Sequence, residues 1–417
     1  MDKPRADVMI HNIGELLTLE GIAPKRAHDS IGLIKDAAVA LVGGRVLKTG
    51  TYHHVTSEVT TDQDTLYYDA QGGLVTPGLI DPHTHLLYAG SRQHELALRL
   101  QGHSYLDILD QGGGILHTVR STRAASDEEL LHSTQTRLNR LLAHGVTSVE
   151  IKSGYGLDAQ EELRQLRLIN ELKAQGPQHI VTTFMGAHAL PREFRHQSDA
   201  YVDLVVEQML PEAAPQASFC DVFCEEGVFT IDQSRRILKR AKELDMGLKV
   251  HADELSAYGG AQLAAELGAH TAEHLLCTSE AGMDALAAAG VIAVLLPGTS
   301  FYLQKPYASA QRLMERGVPV ALATDSNPGS SPTENPQLML NLACLYLGMT
   351  VAQAWAACTI NAACALGIEG ETGSLTPGKR GDIVVFDAPD HAYPAYHYGN
   401  NLARAIFCHG RLVSPIS

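Results

Sequence analysis

The segment Asp81-Pro82-His83-Thr84-His85 sets two imidazoles two residues apart. Residues i and i+2 of an extended strand project from one face, so His83 and His85 can converge on a single ion. A His-x-His pair alone is weak, because surface or core histidines fall at that spacing by chance. Three further positions add weight. His251 ends an apolar run in Lys249-Val250-His251, His274 follows another in Ala272-Glu273-His274, and Asp325 closes a third in Ala321-Leu322-Ala323-Thr324-Asp325. A core or loop role accounts for any one of these residues, but poorly for all together. A set of three imidazoles and one carboxylate suits Zn²⁺ or iron better than Mg²⁺ or Ca²⁺, which prefer oxygen ligands. Such an ion lowers the pKa of its water to about 7 and so supplies hydroxide at neutral pH. A proton carrier must stand beside that water, and Asp325, Glu254 and His274 are the candidates.

These residues need a scaffold that brings distant strand ends to one face. From Leu74 onward, short apolar runs alternate with amphipathic helical stretches. The runs are Leu74–Ile80, Val146–Ile151, Ile180–Met185, Phe219–Phe223, Leu248–Val250, Thr271–Ala272, Val291–Leu296 and Pro319–Ala323. After the first, successive starts lie 20 to 39 residues apart, the length of one βα unit. Eight such units predict an α/β fold, a (β/α)₈ barrel whose chemistry lies at the C-terminal ends of its strands. Spacing alone also admits a doubly wound open sheet. Residues 1–72 read as short strands between turns, with no helical period, and strand character returns after Gly373. The two ends therefore predict one small β domain beside the barrel, giving 1–72 and 371–417 as its parts and 73–370 as the barrel. About sixty residues, Leu86 to Gly145, separate the first two barrel strands.

Composition narrows the classes. The formal charge is −15, from 32 Lys and Arg against 47 Asp and Glu, which argues against nucleic acid or an anionic membrane as partner. The longest apolar run, Ala285–Leu296, is too short to span a bilayer. Seven cysteines without a CxxC pair predict reduced, buried thiols in a cytoplasmic protein. Gly154-Tyr155-Gly156-Leu157-Asp158-Ala159 matches a dinucleotide-binding GxGxxA pattern, but it stands alone.

The stretch Pro77-Gly78-Leu79-Ile80-Asp81-Pro82-His83-Thr84-His85, the strand-end His and Asp residues, and Gly378-Lys379-Arg380-Gly381-Asp382-Ile383-Val384 together resemble the amidohydrolase superfamily over nearly the whole chain. That resemblance implies a (β/α)₈ barrel joined to a β-sandwich built from both termini. Further stretches are similar to the imidazolonepropionase branch of it. They are His85–Arg92, Gly102-His103-Ser104-Tyr105 with Gly112–Gly114, Lys152–Gly156, Gly186–Pro191 and Asp325–Ser330. By position, the resemblance implies His83, His85, His251 and Asp325 as ligands of one divalent metal, Zn²⁺ or Fe²⁺/Fe³⁺. It implies Arg92, Tyr155, His188, Asn327, Gly329 and Ser330 as substrate contacts, and Glu254 and His274 as groups handling protons and the reacting carbonyl. Binuclear relatives carry a bridging lysine on the fourth strand, and Phe219–Glu226 has none, so a single ion is expected although Glu225 is a conceivable bridge. The implied substrate is 4-imidazolone-5-propanoate, and the implied assembly is a homodimer. A heteroaromatic deaminase with the same metal set and a barrel-retaining scaffold without activity are the rival readings.

Overall fold

The computed structural model describes residues 3–21, 30–102 and 113–413. Of the stretches quoted above, His103–Tyr105 and Gly112 lie outside the described residues.

The N-terminal segment supplies β1 (Val8–Leu17), β2 (Leu33–Val42), β3 (Arg45–Thr51), β4 (Leu66–Asp69) and β5 (Leu74–Pro77). The barrel strands are β6 (Leu79–Asp81), β7 (Val146–Lys152), β8 (His179–Ala187), β9 (Phe219–Cys224), β10 (Gly247–Ala252), β11 (Thr271–His274), β12 (Ile292–Leu295) and β13 (Val320–Leu322). The C-terminal segment adds β14 (Ile383–Phe386), β15 (Ala403–Cys408) and β16 (Arg411–Val413).

β6 to β13 pair in sequence order as an eight-stranded sheet, and every pairing is parallel. The ends are stitched together beyond β6 and β13. Asp325 N–H donates to the His83 carbonyl at 3.1 Å, and His85 N–H donates to the Ser326 carbonyl at 2.9 Å. Asp81 reinforces the seam, its carboxylate accepting from Thr324 N–H at 3.1 Å and from the Thr324 hydroxyl at 2.6 Å. Such closure decides for a barrel over an open sheet.

The surrounding helices carry their own start signals. Asp127–Ala143 opens on a capping box of Ser126 and Glu129, and Ile231–Glu243 opens on one of Thr230 and Gln233. Each buries an apolar stripe, Leu130, Leu138 and Leu141 in the first and Ile237, Leu238 and Ala241 in the second.

The terminal strands form one sheet in the order β16-β15-β14-β5-β1-β2-β3, with β4 also paired to β1. β1 pairs with β4 through its first half and with β5 through its second, and its register with β2 shifts between Ile10 and Ile13. Tyr68 of β4 meets Phe407 of β15 edge-on, with ring centroids 5.4 Å apart. Both rest on a core of Ile10, Val39, Val75, Ile383 and Val385.

Three expectations need correction. The run Leu74–Ile80 is two strands in two sheets, because β5 pairs with β1 and β14 while β6 opens the barrel. Residues 52–58 are helical despite the absence of a period. Seven residues make too little helix to show one, and this helix is held by burying Val55, with Val59 just beyond it, against Met9 and Ala38. Cys277 is exposed and Cys344 half-buried, whereas the other five cysteines are buried, and all seven are free thiols. Among the described residues, no helix is long and apolar enough to cross a membrane.

Candidate active site

His83 and His85 lie just past β6, in an extended segment held on both sides. Thr84 between them donates its hydroxyl to the Glu150 carbonyl at 2.5 Å and accepts from Lys152 N–H at 3.1 Å. With Thr84 bound to β7, both imidazoles take the opposite direction. His251 enters from β10, and the three rings offer nitrogens within 4.8 Å of one another, all buried. Asp325 faces two of the three rings, its Oδ1 lying 3.5 Å from His83 Nε2 and 3.6 Å from His85 Nε2. Its Oδ2 accepts from the Thr299 hydroxyl at 2.6 Å, which fixes the carboxylate plane.

The donor set fits a divalent ion. Nε2 of His83 and Nε2 of His251 are buried without a hydrogen-bond partner, a costly state that an ion at their meeting point would relieve. Burial also holds His83 and His85 well below the ordinary imidazole range and His251 down to about 3, keeping them in the neutral, ligating form. On the far side of the rings, Asp221 Oδ1 lies 3.0 Å from His251 Nδ1, and Glu273 contacts His83 Nδ1. Carboxylates on Nδ1 direct the tautomer that frees Nε2.

The rim is equally ordered. His274 closes β11 with φ 72°, and Asp325 has φ 53°, both in the left-handed region that non-glycine residues adopt at a cost. Glu254 Oε2 stands 3.6 Å from His274 Nε2. Burial, with Asp325 and Glu225 nearby, pushes the Glu254 carboxyl up to about 8, so near neutrality it can carry a proton. Glu225 accepts from Leu255 N–H at 2.9 Å and from the Ser256 hydroxyl at 2.5 Å. Both of its oxygens therefore grip the loop that carries Glu254.

His188 stacks on His85, with centroids 4.7 Å apart and planes 16° apart, and its Nδ1 lies 3.0 Å from the Gly154 carbonyl. A Cβ on Gly154 (φ +115°) would come within 2.9 Å of that His188 nitrogen, so the glycine serves ring packing. The N–H groups of Gly156 and Leu157 both donate to Glu162 at 2.8 Å. A buried carboxylate thus sits where a pyrophosphate would, which removes the dinucleotide reading. Tyr155 is buried beside this stacked pair, its ring tilted to both, 6.1 Å from His85 and 5.4 Å from His188.

Arg92 uses one edge of its guanidinium on Glu95, with Nε and Nη2 each 2.9 Å from a carboxylate oxygen. Glu95 is itself buried and accepts from Gly114 N–H at 2.7 Å. The remaining Nη1 packs on Gly329, where an added Cβ would lie only 2.2 Å away. Asn327 spends its amide on its own loop, donating to the Asp325 carbonyl at 2.6 Å and the Ser330 hydroxyl at 2.9 Å. Its oxygen accepts from the N–H groups of Gly329 and Ser330 at 2.8 Å.

Sequence reading missed Glu95, Thr299 and the buried charges Glu150, Lys152, Asp221, Lys249 and Glu273. The strand charges had a signal. Val149-Glu150-Ile151-Lys152 and Lys249-Val250-His251 alternate charge with apolar residues in strands buried on both faces, which an apolar barrel interior does not require.

Comparison with known proteins agrees with this architecture. The amidohydrolase family model matches residues 74–413. An imidazolonepropionase of Alkaliphilus metalliredigens is 48% identical over 413 residues, covering 98% of each chain. One of Symbiobacterium thermophilum is 49% identical over 413 residues, covering 98% of this chain and 97% of its own. Among solved structures, a zinc-bound adenosine deaminase of Xanthomonas campestris superposes with a TM-score of 0.71 at 19% identity, covering 99% of this chain and 93% of its own. E. coli guanine deaminase gives 0.72 at 15% identity, covering 97% and 98%. At those identities the structures share the fold, while the near-full-length sequence matches reach further, and the chain belongs to the amidohydrolase family and, within it, to the imidazolonepropionases.

Proposed function

We propose that the chain hydrolyses the ring amide of 4-imidazolone-5-propanoate to N-formimino-L-glutamate, with one divalent ion, zinc or iron, held by His83, His85, His251 and Asp325. The observation that carries the reading is the cage with partnerless Nε2 atoms on His83 and His251, together with a guanidinium, Arg92, packed against the loop that follows Asp325. Full-length similarity to imidazolonepropionases supports the choice of substrate.

When bound, the ion would supply water acidified to near neutrality. The chain's residues do the rest. Arg92 Nη1 receives the propionate in a charge-assisted contact, end-on because Glu95 holds the other edge. Tyr155 and His188 wall the ring site, and Asn327 with Ser330 sets the loop that carries Gly329. As water oxygen bonds to the ring carbonyl carbon, Asp325, with Glu254 or His274, takes its proton. One of these groups then protonates the departing ring nitrogen as the C–N bond breaks.

The test is to follow formiminoglutamate from metal-loaded protein. Product is expected at one ion per chain, lost on chelation and restored by Zn²⁺ or Fe²⁺, with guanine and cytosine left unchanged. A fully metallated protein that gives no product overturns the reading, and turnover of either base transfers it to the deaminases. Gly329→Ala should raise KM with little change in kcat, because the new Cβ displaces Nη1 and touches nothing that reacts. Steady-state kinetics check that split. The same reading makes the chain a cytoplasmic homodimer, which sedimentation equilibrium tests for the oligomer.

A further inference from the structure

Beneath the ligand cage, on the Nδ1 side of the rings, lies a second knot of charge. Lys152 Nζ sits 2.8 Å from Glu150 Oε2, 2.7 Å from Asp221 Oδ2 and 3.3 Å from Glu273 Oε2. Lys249 Nζ sits 3.0 Å from Glu150 Oε1, 3.1 Å from Glu273 Oε1 and 3.0 Å from the Pro82 carbonyl. All five side chains have no solvent exposure. His83, Asp221, His251 and Glu273 moreover bring one donor atom each within 4.8 Å, so the knot is tied directly to the Nδ1 side of the cage rather than standing apart from it. Behind the imidazole cage the barrel therefore holds a lower basin, walled by carboxylate oxygens from three different strands and occupied by ammonium groups.

We propose that Lys152 is a built-in cation: its ammonium fills the lower basin, so that the barrel takes a single metal ion, on the Nε2 side of His83 and His251. The inference rests on the metal-centre reading above and assigns Lys152 a positioning role, because it touches neither the ion nor the substrate. Asp221 and Glu273 each divide their contacts between Lys152 and an Nδ1 of the cage. An ammonium at their centre holds them in that shared orientation. Three carboxylates against two ammonium groups leave the knot one negative charge in excess. Without Lys152 the excess is two, buried and unpaired, a state that buried ion groups do not sustain without a partner. A cluster of carboxylate oxygens suits a hard ion such as Mn²⁺.

The experiment uses the full chain with its upper site loaded with Zn²⁺, titrated with Mn²⁺. Free Mn²⁺ is read by electron paramagnetic resonance, and bound metal by elemental analysis. Lys152→Ala is expected to take up about one more equivalent of Mn²⁺ than the unsubstituted chain. Lys152→Met, whose uncharged side chain still fills the basin, is expected to take up none. Equal Mn²⁺ uptake by folded Lys152→Ala and the unsubstituted chain overturns the proposal. Should Lys152→Ala fold weakly, its Tm supplies the answer, because an ion bound only to the native state raises it. A Mn²⁺-dependent rise in the variant beyond that of the unsubstituted chain supports the built-in cation, and no such rise overturns it. The combined zinc and iron count of the unsubstituted chain, after loading with either ion, keeps the two readings apart. One ion there upholds the metal centre whatever the variant does, and neither ion bound removes the metal centre irrespective of Mn²⁺ uptake.

Discussion

Replacing Asp325 by Asn should lower kcat by about a thousandfold or more, a loss of about 4 kcal/mol in transition-state stabilisation, in protein that remains folded. Asp325 Oδ1 faces the Nε2 atoms of His83 and His85, and Oδ2 is tied to Thr299. The amide keeps the shape and the Thr299 contact. It removes the negative charge that favours a cation, and it removes the capacity to accept a proton from water. Both proposed roles of Asp325 are lost in one substitution, which is why the expected effect exceeds that of any substrate contact. Metal content measured beside kcat separates them. A variant that keeps one ion per chain and still loses the activity assigns the loss to proton transfer, whereas parallel loss assigns it to ligation. Full activity with a full metal complement would remove Asp325 from both. Thr299→Val, which frees Oδ2 but keeps the charge, should move kcat in the same direction by less.

The second large effect belongs to Arg92. Arg92→Ala should raise KM for the propanoate substrate tenfold or more, equivalent to at least about 1.4 kcal/mol. The variant should also melt at a lower temperature, because Glu95 keeps the Gly114 N–H but loses both guanidinium contacts while buried. Arg92→Lys should recover little of the affinity. A single ammonium cannot hold Glu95 by two bonds and also present a donor beside Gly329. An unchanged KM in Arg92→Ala would end the carboxylate-anchor role, and thermal melting of the same sample checks the structural one. The −15 net charge adds to the case, since a negative protein offers an anionic substrate no general attraction and must rely on local cations.

Much of the site was legible because its parts obey local rules. His83 and His85 share a face through the two-residue period of an extended chain. His251, His274 and Asp325 could be placed on the same rim because each follows an apolar run, and parallel strands of a barrel end together. The seam, by contrast, depends on Asp325 N–H meeting the His83 carbonyl across more than two hundred residues, and no spacing predicts that bond. The run Leu74–Ile80 reads as one strand because its apolar character is continuous. Only the pairing partners, β1 and β14 on one side of Gly78 and β7 on the other, divide it. Gly154–Ala159 likewise fits a nucleotide-binding pattern in one dimension. The Glu162 carboxylate that fills its N–H groups settles the question in three.

By itself, then, the sequence determined the kinds of group available: imidazole and carboxylate at successive strand ends, β character at both termini, and a cation at position 92 in an acidic chain. Those properties are local, set by side-chain chemistry and by the period of the element that carries each residue. The tertiary structure alone decided which edge of Arg92 remains free, which carboxylates lie behind His83 and His251, and that Lys152 lies among three of them. Burial makes each of these a question of partners, because a charge removed from water persists only where opposite charges or hydrogen bonds surround it. Those partners come from strands far apart in sequence and meet only when the barrel closes.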